Sequence, residues 1–353
     1  MTESARNNNF SLLRIAAALM VISGHMSYLT ATPLSSFLDK PIQGIGVSIF
    51  FLIGGYLITQ SWLSDPKPLR YATKRFFRIW PPLAAFLVVA ALIVGPFLSR
   101  LPMKEYYTHP VTWNYFKNAL FNIQYSLPGV FETNPYPNAV NGSLWTLPVE
   151  VVMYVLVPLF CVICGVKKET SKKTPWICIG VVTVLVCFID YLLQSRYPDA
   201  YWVFYATDWV QALRIVPYYF IGMLYAAPGM KNILNLPLAC FLVLVLSCFN
   251  FSTIHTNVMH YFVMPYLVFS IAFAPSNFIS KFFDKYEISY GLYLYGFFIQ
   301  QVIVKVTLAH GIMWSPTIYM IVCTFATAIV AFVSYKFIEK PILKVSKLLL
   351  KKI

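Results

Sequence analysis

Ten long apolar runs limit what this chain can fold into more than any other feature of its sequence. Each run is about 17 to 22 residues long, the length that an α-helix needs to cross the hydrocarbon core of a bilayer. The runs occupy approximately residues 10–30, 44–63, 80–99, 145–165, 176–194, 209–227, 236–251, 258–275, 289–308 and 316–335. With 59% hydrophobic and only 11% charged residues, the chain is too apolar for a soluble domain, in which charged residues make up about 25%. The sequence therefore predicts an all-α polytopic membrane protein with about ten transmembrane helices, formed as one membrane-embedded domain over residues 1–353.

Basic residues are concentrated in alternate connections between these runs. The cation-rich connections lie at residues 67–78, 167–173, 231, 281–285 and 336–352, and the connections between them hold few cations. Because loops rich in lysine and arginine stay in the cytoplasm, this alternation predicts that both termini are cytoplasmic. The net charge of +14 then reflects topology, and we expect no nucleic-acid partner. The basic tail, at about 336–353, is expected to rest on anionic lipids of the inner leaflet.

The first apolar run, from Phe10 to Leu29, carries two ionisable side chains, Arg14 and His25. Their separation is three helical turns plus about 20°, so both side chains share one face, about 16 Å apart along the axis. Ala18 and Val21 lie between them on that face. Since ionisable residues inside a membrane are costly and usually functional, we expect a narrow passage to run along this face from the arginine to the histidine.

A carboxylate in the fourth run is expected at a similar depth to His25. Glu150 lies about one turn into that run, in the stretch SLWTLPVE, and the predicted topology has the run entering from outside. A carboxylate that orients an imidazole raises its basicity, which suits a general base. The alternative is a buried pair that only fixes helix packing.

Arginine side chains form a second candidate site at the predicted cytoplasmic face. Arg75 and Arg78 are three residues apart in KPLRYATKRFFRIWPP, so they share a face if the segment is helical, and Arg14 lies at the same membrane level. Three guanidinium groups around one cavity can bind the phosphates of a polyanionic cofactor. The alternative is a basic loop whose side chains reach the lipid headgroups.

Two further stretches allow more than one interpretation. The long external loop, about 100–144, contains aromatic residues such as Trp113 that can stack on sugar rings, or it can form an interfacial helix in the headgroups. The segment GVSIFFLIGGYLI contains closely spaced glycines. Such glycines favour close helix packing, and they also allow a ligand to approach the backbone.

Several classes of chemistry lack support in the sequence. There is no phosphate-binding glycine loop, no metal-ligand pair at helical spacing and no Gly-x-Ser-x-Gly elbow, so an enzyme here depends on histidine and no metal is expected. We also expect free buried thiols and no disulfides, because all seven cysteines lie in apolar segments: Cys161, Cys164, Cys178, Cys187, Cys240, Cys248 and Cys323.

In sequence the chain resembles the integral-membrane acyltransferase-3 family of bacterial surface-glycan O-acyltransferases. The matching features, in the expected order, are Arg14 and His25 with ten residues between them, GVSIFFLIGGYLI, RFFRIWP, SLWTLPVE, ISYGLYLYGFFIQQ and FIEKP. Together they span most of the chain. No hydrolase-like domain accompanies them, so the resemblance is to a stand-alone member.

This resemblance implies a multi-pass protein of the bacterial inner (plasma) membrane. It implies acyl-CoA, with acetyl the expected acyl group, as the cytoplasmic donor, and a glycan or lipid-linked saccharide as the extracytoplasmic acceptor. His25 is expected to be catalytic, as a base or as a transiently acylated nucleophile, with Arg14 beside it and Glu150 in support. Arg75, Arg78 and Arg14 are expected to hold the donor.

We expect the acceptor to bind at Trp145, Ser143 and Trp113 in and beside the external loop. Membrane lipids are further expected partners, and a homo-oligomer remains open. A rival hypothesis is a transporter or flippase in which Arg14, His25 and Glu150 relay protons. A third is a catalytically idle membrane sensor or assembly partner.

Overall fold

A computed structural model of the chain describes residues 8–33, 36–37, 40–168, 173–248, 253–276 and 278–352, with backbone alone at 253–258. The described part is mostly helical, with two short hairpins. The helices are α1 (Phe10–Leu29), α2 (Ile42–Ser64), α3 (Pro68–Val88), α4 (Gly95–Leu98), α5 (Met103–Thr108), α6 (Pro110–Asn114), α7 (Thr146–Ile163), α8 (Thr174–Arg196), α9 (Trp209–Leu213), α10 (Val216–Tyr225), α11 (Leu236–Ser247), α12 (Thr253–Phe273), α13 (Phe278–Lys285), α14 (Ser289–Ala309), α15 (Pro316–Ser334) and α16 (Lys340–Leu350). Wider π-type turns at Val89–Val94 and Tyr335–Glu339 continue α3 and α15, and 3₁₀ turns lie at Tyr115–Leu120, Gly142–Trp145 and Met230–Ile233. Strands β1 (Ser36–Phe37) and β2 (Lys40–Pro41) form one antiparallel pair, and β3 (Val203–Phe204) and β4 (Thr207–Asp208) form another.

Seven helices among the described residues are long and apolar enough to cross a membrane. They are Phe10–Leu29, Ile42–Ser64, Pro68–Leu98, Gly142–Ile163, Thr174–Arg196, Ser289–Ala309 and Pro316–Leu350. An eighth span results if the pair Met259–Phe273 and Phe278–Lys285, bent by 90°, is counted as one. The multi-pass helical class is thus supported, whereas the predicted count of ten spans and the cytoplasmic position of both termini stay predictions.

The other predicted runs are helical but interrupted or short. The run at 209–227 is divided into α9 and α10, with Pro217 in the first turn of α10. Proline lacks the N–H that a continuing helix needs and suits a first turn, which explains the break. In the run at 236–251, α11 covers Leu236–Ser247, and residues 249–251 lie outside the described residues. The basic segment before the third run is itself helical, because α3 begins at Pro68.

Helix α2 is packed closely on two sides through its glycines. A Cβ atom added to Gly46 would lie 2.5 Å from the carbonyl oxygen of Ala17 in α1, and one added to Gly55 would lie 2.0 Å from that of Tyr219 in α10. Real Cβ atoms do not approach other atoms so closely, so no larger residue fits at either position. The packing interpretation of the glycine segment therefore holds at these two positions.

The long loop that was predicted to be external, about residues 100–144, is folded against the helices. Tyr106, Tyr115 and Phe131 are fully buried in it, and the indole N–H of Trp80 in α3 donates to the carbonyl oxygen of Ala119 at 3.1 Å. Since Trp80 lies at the middle of α3, this segment reaches down along that helix. It consists of short helical pieces and coil, so it is not a single interfacial helix.

The prediction of free, buried thiols is wrong for four cysteines, of which two are bonded and two are exposed. Cys164 and Cys178 form a disulfide, with their Cα atoms 5.7 Å apart, while Cys161 and Cys323 are free and buried and Cys240 and Cys248 are free and exposed. The bond forms because the short connection between α7 and α8 brings the end of one helix beside the start of the next. Disulfides are rare in a reducing cytoplasm, so this bond argues against the predicted cytoplasmic position of that connection.

Candidate active site

A cavity among helices α1, α2, α3, α7, α10 and α14 brings the three predicted arginines together. Helix α1 contributes Arg14 and α3 contributes Arg75 and Arg78, so the expectation that the last two share a helix face is confirmed. The other lining residues are Val47, Phe50, Phe51, Ile53, Gly54, Leu57, Ile58, Ile79, Thr146, Leu147, Glu150, Tyr154, Tyr219, Ser289, Tyr290 and Tyr293. The cavity is thus cationic at one part of its wall and aromatic or aliphatic over most of the rest.

Glu287 joins two of these arginines. Its Oε2 atom lies 3.1 Å from Nη1 of Arg14 and 2.9 Å from Nη2 of Arg78, and the Ser289 hydroxyl donates to its Oε1. Glu287 precedes the span that begins at Ser289. Burial alone would raise the pKa of Glu287, but the charges of Arg14 and Arg78 outweigh burial and lower the pKa to about 2. The carboxylate is therefore ionised and fixes α1 against α3.

Of the three arginines that line the cavity, Arg75 forms no salt bridge in the described structure. Within the described residues no carboxylate lies within 4.0 Å of it, and its Nη2 donates only to the Ser61 hydroxyl at 3.5 Å. Its buried Nε has no partner. The guanidinium lies 5.7 Å and 5.8 Å from the ring centres of Tyr71 and Tyr154, which support it from the sides. Arg75 can thus accept an anionic ligand without first breaking an ion pair.

Glu150 belongs to this cavity and not to His25. Its carboxylate accepts a hydrogen bond from the Tyr154 hydroxyl and interacts electrostatically with Arg78, Arg14 and Arg75. No contact joins it to His25 in the described part of the chain, so the predicted pairing of the two side chains is wrong. Helix α7 places this carboxylate beside the arginines in the cavity wall.

His25 lies outside the arginine cavity. Its half-buried ring packs edge-on against Phe297 of α14 with ring centres 5.1 Å apart, and its buried Nδ1 has no hydrogen-bond partner in the described structure. The predicted passage along α1 is closed: Ala18 is fully buried in a cluster with Ile22, Leu292 and Ala331, and Val21 is also buried. Ala18 is small, but α14 and α15 occupy the space that it leaves.

Helix α14 connects the two places instead. Tyr290 and Tyr293 line the cavity, and Phe297, one turn further, contacts His25. These positions share one helix face. The hydroxyl of Tyr293 lies 2.6 Å from that of Thr146 and donates to the Ser143 carbonyl at 3.0 Å. The shortest way from the arginines to His25 therefore passes Tyr293, Phe297 and the turn at Gly142–Trp145.

The three predicted acceptor-binding residues lie in different surroundings. Ser143 is buried beside this route, and its hydroxyl oxygen has no partner among the described residues. Trp145 is partly buried against the core. Trp113 is 55% exposed, stacks on Phe116 and donates its indole N–H to the Tyr107 carbonyl. Trp113 does not line the arginine cavity, and the substrate-binding role of all three stays a prediction.

Sequence reasoning missed Glu287, Tyr154, Tyr219 and Tyr293. Glu287 stands directly before ISYGLYLYGFFIQQ, so its position beside a matched motif was the available signal. The tyrosines gave none, because aromatic residues are frequent throughout these helices. Glu339 of FIEKP is buried and interacts electrostatically with Arg78, which links the end of the chain to the same wall.

Comparison with known proteins gives one family and three relatives. The model of the acyltransferase-3 family, described as "Acyltransferase domain", matches residues 7–336. The chain is 25% identical over 309 residues to an O-acetyl transferase of Shigella phage Sf6. The aligned region covers 85% of this chain and 86% of that protein. It is 29% identical over 163 residues to Nodulation protein 10 of Rhizobium leguminosarum, covering 44% of each. It is 23% identical to the peptidoglycan O-acetyltransferase OatA of Listeria monocytogenes, covering 94% of this chain and 55% of that protein. No solved structure matches.

Replacing Glu287 by glutamine should leave two buried guanidinium groups without their counter-charge. Removing one partner of a buried ion pair costs about 3–5 kcal/mol, so E287Q should unfold at a clearly lower temperature than wild type at pH 7. The folded pKa of Glu287 lies below its ordinary value of 4.5, so its contribution to stability is complete above that pH and is lost as the pH falls toward about 2. Thermal unfolding in detergent across that range should show the difference between the two proteins shrinking.

Asp65 provides the matched control. Its Oδ2 also forms salt bridges with two cations, Lys74 at 2.9 Å and Arg70 at 3.0 Å, but this group lies near the surface. D65N should cost no more than about 1 kcal/mol. Equal losses in D65N and E287Q, or an E287Q deficit that persists unchanged at pH 2, would contradict the role of Glu287.

Proposed function

This chain belongs to the acyltransferase-3 family, and from that premise we propose that it transfers an acetyl group from cytoplasmic acetyl-CoA to a hydroxyl group of a cell-surface glycan or lipid-linked saccharide. Relatives described as O-acetyl transferases support O-acyl transfer as the reaction. The observation that carries the donor assignment is the cavity that joins Arg14, Arg75 and Arg78, with Arg75 lacking a carboxylate within the described structure. The proposed location is the bacterial inner membrane, with the donor bound from one side and the acceptor from the other.

The phosphates of acetyl-CoA bind at Arg75 first and then share Arg14 and Arg78 with Glu287. Guanidinium groups suit this task because each can offer two parallel N–H donors to a phosphate. The uncharged pantetheine arm lies along Phe50, Leu57 and Tyr293, which line the same cavity. Movement of Tyr293 and Phe297 then admits the thioester toward His25.

Acyl transfer needs one base and no change of oxidation state. The acceptor hydroxyl oxygen attacks the thioester carbonyl carbon, so an ester C–O bond forms and the C–S bond breaks. His25 removes the hydroxyl proton and delivers it to the departing sulfur, which leaves as the thiol of CoA. Because Nδ1 of His25 is the buried ring nitrogen, Nε2 is the nitrogen that faces the substrates.

The acceptor binds on the outer side of this route. Ser143 offers a buried hydroxyl without a described partner, and Trp145 offers a partly buried aromatic surface beside it. Aromatic faces suit the apolar faces of sugar rings, which favours a saccharide as the carrier of the hydroxyl group.

The transporter hypothesis has less support. A proton relay needs titratable groups that are connected by hydrogen bonds. Glu150 and Arg14 lie in the cavity, but His25 packs against Phe297 outside it. Family membership also favours an enzyme. A transporter would move substrate without consuming acyl-CoA.

Replacing His25 by alanine should abolish acyl transfer, because loss of a general base slows a reaction by about 10²- to 10⁴-fold. The measurement is release of CoA thiol, with base-labile acetyl recovered on the glycan, in membranes that contain the acceptor. CoA binding should persist in H25A, since His25 does not line the arginine cavity. Wild-type rates in a folded H25A protein would end the proposal.

Replacing Arg75 by alanine should weaken acetyl-CoA binding by about 10- to 100-fold, the range expected for hydrogen bonds to charged groups. Lys74→Ala is the control, because the neighbouring Lys74 pairs with Asp65 away from the cavity. Calorimetric binding with purified protein distinguishes the two. Similar losses in K74A and R75A would assign the effect to general surface charge and contradict the donor site.

A further inference from the structure

Two neighbouring glutamines in α14 have the same burial but different hydrogen bonding. Gln300 and Gln301 are both fully buried. Gln301 is fully paired: its Oε1 accepts from Asn134 at 2.7 Å, and its Nε2 donates to the carbonyl oxygens of Tyr136 and Ala139, each at 2.8 Å. Gln301 therefore has a structural task, which is to hold the external segment on α14.

Gln300 is only half paired. Its Nε2 donates to the carbonyl oxygen of Ile22 at 2.7 Å and approaches the Met26 sulfur at 3.5 Å, but its Oε1 is buried without a partner among the described residues. A buried amide oxygen without a hydrogen bond costs about 1–3 kcal/mol. Such a cost inside a membrane protein calls for a functional explanation.

The Gln300 amide contacts the turn of α1 that carries His25. The two contacts of Nε2 fix the Gln300 amide between Ile22 and Met26, and His25 stands within that same turn. Phe297, three residues before Gln300 on α14, packs against the His25 ring. His25 Nδ1 is likewise buried without a partner. An unpaired acceptor and an unpaired ring nitrogen thus belong to the same contact between α1 and α14.

Charged groups do not compete for this place in the described structure. Among the described residues, His25 forms no salt bridge. Lys40, in β2, donates to Tyr218 and Ser48. The other titratable groups around this end of α1 are Tyr28, Tyr136, Tyr319 and Cys323.

We propose that Gln300 is the positioning residue for His25. Gln300 Oε1 and His25 Nδ1 are not hydrogen-bonded to each other in the described structure. In the reacting state, Gln300 Oε1 accepts a hydrogen bond from the Nδ1–H of His25 and so holds the tautomer in which the lone pair of Nε2 faces the acceptor hydroxyl. A second group that fixes tautomer and orientation is the usual requirement of a histidine base. A neutral amide does this without burying a further charge in the membrane. This inference rests on the proposed function, because it assigns Gln300 a part in the same reaction.

The test compares two substitutions at Gln300 in the full-length protein, using CoA-thiol release from acetyl-CoA as a function of pH. Gln300→Leu removes the acceptor, so kcat should fall by about 10- to 100-fold with KM for acetyl-CoA unchanged. Without an acceptor for Nδ1 the imidazolium is less favoured, so the acid limb of the kcat/KM profile should move to lower pH. Gln300→Glu keeps an acceptor and adds negative charge, so its acid limb should move to higher pH.

Thr327→Val is the control for loss of a buried polar contact. Thr327 is fully buried in α15 and its hydroxyl donates only within its own helix, to the Cys323 carbonyl at 2.6 Å. T327V should change the rate by less than about twofold, with no shift of the pH profile. A role of Gln300 in packing alone predicts the same unshifted profile for Gln300→Leu and Gln300→Glu.

Three outcomes are distinguishable. Opposite shifts of the acid limb in the two Gln300 variants support the inference, and if Gln300→Leu fails to fold, the upward shift in Gln300→Glu supports it alone. Unchanged profiles in both variants, or a Gln300→Leu rate within about twofold of wild type, overturn it while leaving acyl transfer intact. Wild-type protein that releases no CoA, or H25A that remains active, overturns the proposed function itself.

Discussion

The ion-paired group of Arg14, Glu287 and Arg78 determines how the rest of the cavity is arranged. One carboxylate oxygen lies within 3.1 Å of guanidinium groups from two different helices, and in a medium of low polarity neither helix can withdraw its charge without leaving another unpaired. This contact fixes α1 against α3 at the wide end of the cavity. It also pairs one carboxylate with two of the three arginines, and no carboxylate of the described residues lies within 4.0 Å of Arg75, so Arg75 is left to meet an anion from outside the protein. The donor site therefore follows from an imbalance of charge as much as from the shape of the cavity.

Helix α14 provides the second constraint. It lies beside α1 along most of its length, and one of its faces carries Tyr290 and Tyr293 at the cavity, Phe297 against His25 and Gln300 on the next turn. The arginines and the histidine are thus separated in space but attached to the same pair of helices. An acyl group delivered from the cavity has to pass the contacts of Tyr293 with Thr146 and Ser143. These contacts close the route in the described structure, and their opening is the conformational step that the proposed reaction requires.

Local periodicity accounts for the part of this arrangement that could be predicted. The length of the apolar runs gave the helical membrane class, and the spacing of Arg75 and Arg78 gave their shared face. Contacts between helices were beyond such reasoning, since they depend on the rotation of each helix about its axis. Glu150 was expected at the depth of His25 but lies in the cavity beside the arginines, and Ala18 leaves a space that Leu292 and Ala331 fill. Glu287 and Gln300 are recognised as special only when their partners on α1 are seen.

The most direct test of the account is the structure of the protein bound to a non-hydrolysable acetyl-CoA analogue. The account predicts that the phosphates of the analogue lie within hydrogen-bond distance of Arg75, with Glu287 still joining Arg14 and Arg78. It also predicts that the acyl end lies past Tyr293 and Phe297, near Nε2 of His25. Phosphates bound away from Arg75, or an acyl end that reaches its final position on a side of the cavity remote from His25, would contradict it.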